Sequence, residues 1–415
     1  MAQEPLIPMA PHAESRETME GVRALTLAEC FELALRRSEE IAIKQEILRE
    51  NEGRFLQALS GALPRASFEL SEKRQDGSGG SAFTLKDIPE RKFVFSQPLF
   101  SGFKEFAAMA GARAERRQRT YERSRAEQLL FIDVSDAFYF LLEHQEDARA
   151  LEAIRAALSE RIDDLNARER LGRSRPSEVA SAESRLRQVE ADIESARSDE
   201  TVARQLLEFL TGLAPIDAVA DPDPSVALLS GEAEYVGKAG QRSDVQAAHE
   251  AWRVAGKEVA IARAGFWPDV SVEGNYYTKR AGVAQDIDWD VLLKVDVPIF
   301  QGGETAGAVK QAKSRERQAK LRFEQTQREA ALNIREMYAK LQGAVERTAA
   351  LERALKAAEE NARLQSEDYR LNLVSNLEVL EALELLQNAR REVIHSRYET
   401  KRLDTQLHVA IGETL

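Results

Sequence analysis

Few residues of this 415-residue chain are arranged to do chemistry. Its five histidines, His12, His144, His249, His395 and His408, are scattered, and no two stand at metal-ligand spacing. The single cysteine, Cys30, excludes an intrachain disulfide and a cysteine-built metal site. In Leu27-Ala28-Glu29-Cys30-Phe31 it takes an apolar helical position, which suits a small buried hydrophobe better than a reactive thiol. Asp133 with Asp136, or Glu336 with Tyr338, could pair as acid and base, but no Glu-x-x-His pairs accompany them. A phosphate-binding glycine loop and a nucleophile elbow are both missing. The residues therefore predict a protein with no catalytic centre, metal or cofactor.

Charge narrows the partners. The formal net charge is -12, with 58 Lys+Arg against 70 Asp+Glu, so nucleic-acid binding would need a local basic stripe. The densest run, Arg113, Arg116, Arg117, Arg119, Arg123 and Arg125, is interrupted by Glu115 and Glu122 and reads as a solvated helix face. No stretch approaches the roughly 18 apolar residues of a spanning helix, so any membrane crossing must use strands. Met1-Ala2-Gln3-Glu4-Pro5 shows no basic n-region before an apolar run, so a secretory signal has been removed or the natural start lies elsewhere.

The chain repeats itself. Phe95-Ser96-Gln97-Pro98-Leu99-Phe100-Ser101-Gly102 aligns with Val295-Asp296-Val297-Pro298-Ile299-Phe300-Gln301-Gly302 at an offset of 200 residues. The same register persists ungapped through Val134 and Ile334, Leu141 and Leu341, Glu178 and Glu378, Leu186 and Leu386, and Gly212 and Gly412. Upstream of the prolines the offset becomes 204, aligning Leu63-Pro64 with Trp267-Pro268, so the intervening segment differs in length as a loop can.

Each copy reads as helix, β-hairpin, long helix, turn, helix. The first helix is predicted from Thr26 to Leu63, with Thr26 and Glu29 as a capping box and Pro64 as its stop. Beyond Pro268 the period changes to two. Val270, Val272, Gly274 and Tyr276 alternate with Ser271, Glu273 and Asn275, and Trp289, Val291, Leu293, Val295 and Val297 alternate with mostly polar neighbours. Phe68, Leu70, Phe93 and Phe95 repeat the pattern more weakly. Such hairpins suit barrel staves, but four strands cannot close a barrel, so the reading requires oligomerisation.

Ala112 to Leu171 lacks both Gly and Pro, and about 60 helical residues reach roughly 90 Å. Narrow apolar stripes, as at Leu130, Val134, Ala137 and Leu141, predict coiled-coil packing. Tight turns are expected at Leu171 to Pro176 and Leu371 to Asn376. Gly172 and Asn372 can adopt the left-handed conformation there, and Ser177 or Ser375 can cap the following helix. The expected organisation is an N-terminal extension (1–24), a first repeat (25–213), a linker (214–235) and a second repeat (236–415). The hairpins fall at about 65–98 and 269–298, and the helical hairpins at about 103–212 and 304–411.

This order resembles the TolC family of outer-membrane factors over nearly the whole chain, from about Leu25 to Leu415. The resemblance is carried by Leu25-Thr26-Leu27-Ala28-Glu29-Cys30, by the two junctions Gln97-Pro98-Leu99-Phe100-Ser101-Gly102 and Val297-Pro298-Ile299-Phe300-Gln301-Gly302, and by Tyr369 through Ala382. It implies a mainly α protein forming a homotrimer, whose protomers share one twelve-stranded transmembrane β-barrel above an α-helical periplasmic tunnel. Pro64, Pro98, Gly102, Pro268, Pro298 and Gly302 would mark the barrel–helix junctions. A periplasmic adaptor would dock at tip turns containing Gly172, Ser174, Asn372 and Ser375, and an inner-membrane pump would supply the energy. The channel itself would be passive, with outer-membrane lipid as its other partner. Leu377-Glu378-Val379-Leu380-Glu381-Ala382 is similar to the family's acidic entrance segment, which marks Glu378 and Glu381 as a ring of carboxylates that would attract cations and raise one another's pKa. Tyr369 and Glu178 match a gating cluster, while Val374 stands where the family has an arginine. The competing architecture is a soluble periplasmic coiled-coil scaffold, which the five-position apolar face from Trp289 to Val297 argues against.

Overall fold

The structure, a computed structural model, describes residues 24–222, 230–371 and 373–414. Asn372, residues 1–23 of the N-terminal extension and residues 223–229 of the linker lie outside the described residues.

The opening helix is two helices, α1 (Leu27–Arg37) and α2 (Glu39–Ser60). Thr26 and Glu29 form the expected capping box, whereas the predicted continuity through residue 38 is corrected. Ser38 is extended, and its hydroxyl accepts from the Ile41 amide, so a residue that competes for backbone donors ends one helix and caps the next. Cys30 is fully buried beneath α1, and burial pushes its thiol pKa up to about 12, which keeps it unreactive.

Two antiparallel hairpins follow the same plan in each repeat: β1 (Arg65–Arg74) with β2 (Asp87–Ser101), and β3 (Asp269–Arg280) with β4 (Trp289–Asp296). They join into one sheet in the order β1-β2-β3-β4. Cross-strand partners Phe68 and Phe93, Phe95 and Gly274, Phe93 and Tyr276, Val272 and Leu293, and Tyr276 and Trp289 put the apolar residues on one face. The other face is polar: Asn275 Nδ2 and Tyr277 Oη each donate to Asp290 over 2.8 Å, and Lys92 Nζ lies 3.4 Å from Glu69. Pro98 lies within β2, at a bulge between Pro98 and Phe100, whereas Pro298 lies beyond the end of β4. Proline is tolerated at the bulge because no ladder donor is required there.

Each hairpin delivers the chain into a 67-residue helix, α3 (Lys104–Arg170) and α7 (Glu304–Arg370), of roughly 100 Å. Gly102 turns the first of these corners with φ +63°, and a Cβ there would meet the Ala264 carbonyl oxygen at 2.8 Å, so both backbone and space require glycine. The return helices are α4 (Pro176–Thr211) and α8 (Asn376–Ala410). A short helix, α5 (Glu232–Gly237), and a 3-10 turn lead into α6 (Ser243–Ala264), which stands in the second repeat where α2 stands in the first.

The internal repeat is visible in the core. Val134, Leu141 and Leu207 pack with α1 in one cluster, while Ile334, Leu341 and Leu407 anchor the corresponding cluster of the second repeat. A third cluster, from Leu151 through Leu386, joins α3, α4, α7 and α8 toward the turns. Between the repeats the α3–α8 seam carries polar groups: Arg402 Nη1 donates to Glu143 over 2.6 Å, Arg391 Nε to Asp147 over 2.9 Å, and Ser135 Oγ to Thr405 over 3.1 Å.

The apolar face of the sheet makes a prediction about two adjacent residues. Leu293→Arg, on that face, is expected to lower folding into lipid vesicles by about 2–4 kcal/mol, while Leu292→Arg, on the polar face, is expected to be near neutral. Urea titration of vesicle-inserted protein checks this, and equal losses for the two variants would contradict the assignment of faces.

Candidate functional site at the helix turns

Both turns close by the same hydrogen bonds. Gly172, at φ +68°, lets the Arg173 amide reach the Arg168 carbonyl over 2.8 Å, and the Leu373 amide reaches the Asp368 carbonyl over 2.9 Å. Their helix starts differ. Ser375 and Glu378 form a capping box on α8, with the Glu378 carboxylate 2.6 Å from the Ser375 amide and 2.9 Å from its hydroxyl. The cap expected of Ser177 is corrected: α4 begins at Pro176, its N-cap residue is Arg175, and no side chain caps it. Proline at the first helical position already fixes the backbone and has no orphan N–H to satisfy.

The two turns lie side by side. Asn376, buried at the start of α8, donates from Nδ2 to the Glu178 carbonyl over 3.2 Å and accepts from Arg161 Nε over 3.0 Å. Tyr369 is buried, and its ring is flanked by two guanidinium groups of α3, Arg161 at 3.5 Å and Arg168 at 4.6 Å from the ring centre. Cation–π contacts contribute about 0.5–1 kcal/mol where exposed and about 2 kcal/mol where desolvated, and Arg161, 11% exposed, is the more desolvated of the two. Burial pulls the Arg161 pKa down, and Tyr369, Asp164 and Glu178 act against that pull. Val374 is partly buried and packs against the apolar cluster below.

The candidate residues are therefore only partly brought together. Glu178 turns its carboxylate to Ser174 Oγ at 2.6 Å, and its backbone carbonyl is what meets Asn376. Glu378 and Glu381 are both exposed on the same side of α8, three residues apart. Within one protomer the Ser375 backbone amide and then its hydroxyl hold the Glu378 pKa below the usual glutamate value, opposite to the rise expected from crowded carboxylates. Pro64, Pro98, Gly102, Pro268, Pro298 and Gly302 all lie at the opposite end of the long helices, around the sheet. Arg161, Arg168 and Asn376 escaped the sequence reading. Arg161 and Arg168 stand seven residues apart on one face of α3, and the second repeat replaces them by Asn361 and Asp368. That departure from the internal pattern was the available signal.

Comparison with known proteins gives these features a context. A family model described as outer membrane efflux protein matches residues 238–413. The chain is similar to the outer membrane protein TolC of Vibrio cholerae, with 23% identity over 345 residues covering 79% of this chain and 77% of that protein. It is also similar to the alkaline protease secretion protein AprF of Pseudomonas aeruginosa, with 25% identity over 411 residues covering 92% of this chain and 83% of the other. Among solved structures, CusC superposes with a TM-score of 0.83 over 98% of this chain and 97% of that one, at 18% identity.

The capping box gives the first turn of α8 a pH dependence. A carboxylate whose folded pKa is depressed stabilises the fold above its unfolded pKa and loses that effect as pH falls through the folded value. Amide protection at the start of α8 is therefore expected to hold at neutral pH and to fall on acidification through the depressed Glu378 pKa. Ser375→Ala is expected to reduce protection already at neutral pH and to flatten its pH profile. Hydrogen exchange reads both, and identical profiles for the two proteins would remove the box from the account.

Proposed function

Because this chain belongs to the TolC family of outer-membrane efflux proteins, we propose that three copies of it form the exit duct of a tripartite efflux or secretion machine. It is a passive outer-membrane channel and not an enzyme. In the proposed trimer the protomers contribute twelve strands to one barrel, and the long helices descend into the periplasm as a tunnel that narrows at the turns. A periplasmic adaptor docks at those turns, around Gly172, Ser174, Asn372 and Ser375, and an inner-membrane pump supplies the energy.

The observation that carries this reading is the four-stranded sheet with one apolar face and two edges, β1 and β4, that have no partner strand among the described residues. In hydrocarbon those edges cannot remain unpaired, and further copies of the same sheet supply their partners. The edges and the apolar face also disfavour a soluble scaffold, which would have to leave both in water. The curated relatives are named for different cargo, a protease and cations, which supports a duct whose selectivity is set by its partners rather than by its wall.

At the narrow end, Glu378 and Glu381 of three protomers form the proposed acidic entrance, and in the closed state Tyr369 clamped by Arg161 and Arg168 holds α7 against α3 while Asn376, bonded to Arg161, holds α8. Opening separates those contacts when the adaptor engages.

Planar-bilayer recording tests both parts. Replacing Glu378 and Glu381 by Ala is expected to weaken cation selectivity and block by multivalent cations, whereas Arg161→Ala is expected to raise single-channel conductance several-fold with selectivity retained. Unchanged block would eliminate the ring, unchanged conductance would eliminate the clamp, and a detergent-free monodisperse protein that never forms pores would eliminate the channel.

A further inference from the structure

The end of the molecule that carries the two helix turns presents two chemically different surfaces. The first turn is basic. Arg168, Arg170, Arg173 and Arg175 stand there; Arg168 pairs with Asp164 at 3.3 Å, and the other carboxylates of the turn are Glu169 and Glu178, the latter held by Ser174 Oγ. Arg170, Arg173 and Arg175 are exposed, and none has a carboxylate within ion-pair distance among the described residues. Elsewhere on the helices many exposed arginines are paired about one turn away, as Arg187 is with Glu190 at 2.7 Å, Arg197 with Glu194 at 2.9 Å, and Arg363 with Glu360 at 2.6 Å, although Arg317 and Arg353 have no such pair among the described residues.

Local helix physics does not favour this arrangement. Arg175 occupies the N-cap of α4, where a serine, threonine, aspartate or asparagine would accept from the helix amides, and its cation and that of Arg173 sit by the positive end of the helix dipole. In the second repeat the matching positions are Leu373 and Ser375, and the helix is capped. The second turn is apolar instead: Leu371, Leu373 and Leu377 are 68%, 70% and 61% exposed. The two surfaces adjoin, since Asn376 bonds the start of α8 to the start of α4 over 3.2 Å.

We propose that this end receives a protein partner whose contacting tip carries carboxylates beside apolar side chains. The carboxylates meet Arg170, Arg173 and Arg175, and the apolar groups cover Leu371, Leu373 and Leu377. The proposal rests on the reading of these turns as the docking end and adds the chemistry of what docks. On a chain with net charge -12, a basic island at the turns favours the approach of an acidic partner at this end. An anionic lipid surface or a nucleic acid would occupy the arginines and leave the leucines in water, whereas a mixed acidic and apolar tip uses both.

Three synthetic antiparallel helical hairpins, identical except for tips bearing Glu and Leu, Ser and Leu, or Lys and Leu, test this against the full chain held in nanodiscs. Surface plasmon resonance is expected to show the Glu/Leu hairpin binding at least about tenfold more tightly than the Lys/Leu hairpin, with the difference shrinking as salt rises. The double variant R173E/R175E is expected to invert that order, and Leu373→Ser to weaken all three. Equal binding by the three hairpins, still weakened by Leu373→Ser, would overturn the charge assignment while leaving the docking end in place. No binding by any hairpin would overturn the docking reading as well. Arginine-dependent binding of phosphatidylglycerol vesicles without discrimination among the hairpins would overturn the proposal in favour of a lipid surface. The variants lie in exposed turns, and an unchanged oligomer on native gels shows that they fold.

Discussion

Every strand edge in a membrane must find a hydrogen-bond partner, because hydrocarbon offers none, and each unsatisfied amide or carbonyl group costs several kcal/mol. Among its described residues this chain makes one sheet of four strands with edges at β1 and β4. A strand of ten residues such as β1 exposes enough backbone groups along its edge to outweigh the 5–15 kcal/mol that stabilise an ordinary domain. On the proposed reading, closure by further copies is therefore a condition of being folded in the membrane at all. It also decides where the helices go. Each long helix grows from a strand through a two-glycine or Gly-Phe corner, so a closed ring of strands dictates a ring of helices below it.

The duplication supplies most of this scaffold, and its lapses are as informative as its matches. Val134 and Ile334, Leu141 and Leu341, and Leu207 and Leu407 fill equivalent core positions, so both repeats fold by the same packing. The turns break the rule: Arg161, Arg168, Gly172, Arg173 and Arg175 correspond to Asn361, Asp368, Asn372, Leu373 and Ser375. The backbone closes both turns alike, the Arg173 amide on Arg168 and the Leu373 amide on Asp368. What differs is therefore side-chain chemistry directed at Tyr369 and at the outer surface.

The sequence made the repeat, the strand faces and the long helices legible because each is a periodic signal sustained over many residues. The shift from period 3.6 to period 2 past Pro268 and the ungapped offset of 200 need no tertiary knowledge. Features that depend on one residue's partner were less legible. Ser38 lies inside a continuous amphipathic pattern, and only the Ile41 amide it receives shows that a helix ends there. Pro98 reads as a stop, but a bulge absorbs it within β2. Ser177 reads as a cap, but Pro176 has already begun the helix. At the candidate site, Tyr369, Glu378 and the turn positions were found through resemblance, while the arginines that enclose Tyr369 come from 200 residues upstream and could not be paired with it from spacing alone.

The distribution of packing along the α3–α8 seam bears on how a rigid duct could also move at one end. Near the middle of the molecule the seam holds Glu143 between Arg402 and His395, with Arg402 also stacked on Phe140 at 4.0 Å. The Glu143 and Arg402 side chains are 9% and 10% exposed, so separating them would leave an uncompensated buried charge, worth about 3–5 kcal/mol. Toward the turns Arg161 of α3 reaches Asn376 of α8 and the ring of Tyr369 on α7, so a guanidinium only 11% exposed meets a neutral acceptor and a π face instead of a carboxylate of those helices. Two ion pairs, Glu143 with Arg402 and Asp147 with Arg391, therefore resist displacement of α8 from α3 higher on the seam, and the charge–dipole contact of Arg161 with Asn376 resists it at the turns. The ion pairs then form the firmer part of the seam and Arg161 with Asn376 the looser part, a division that follows from charge–charge against charge–dipole attraction.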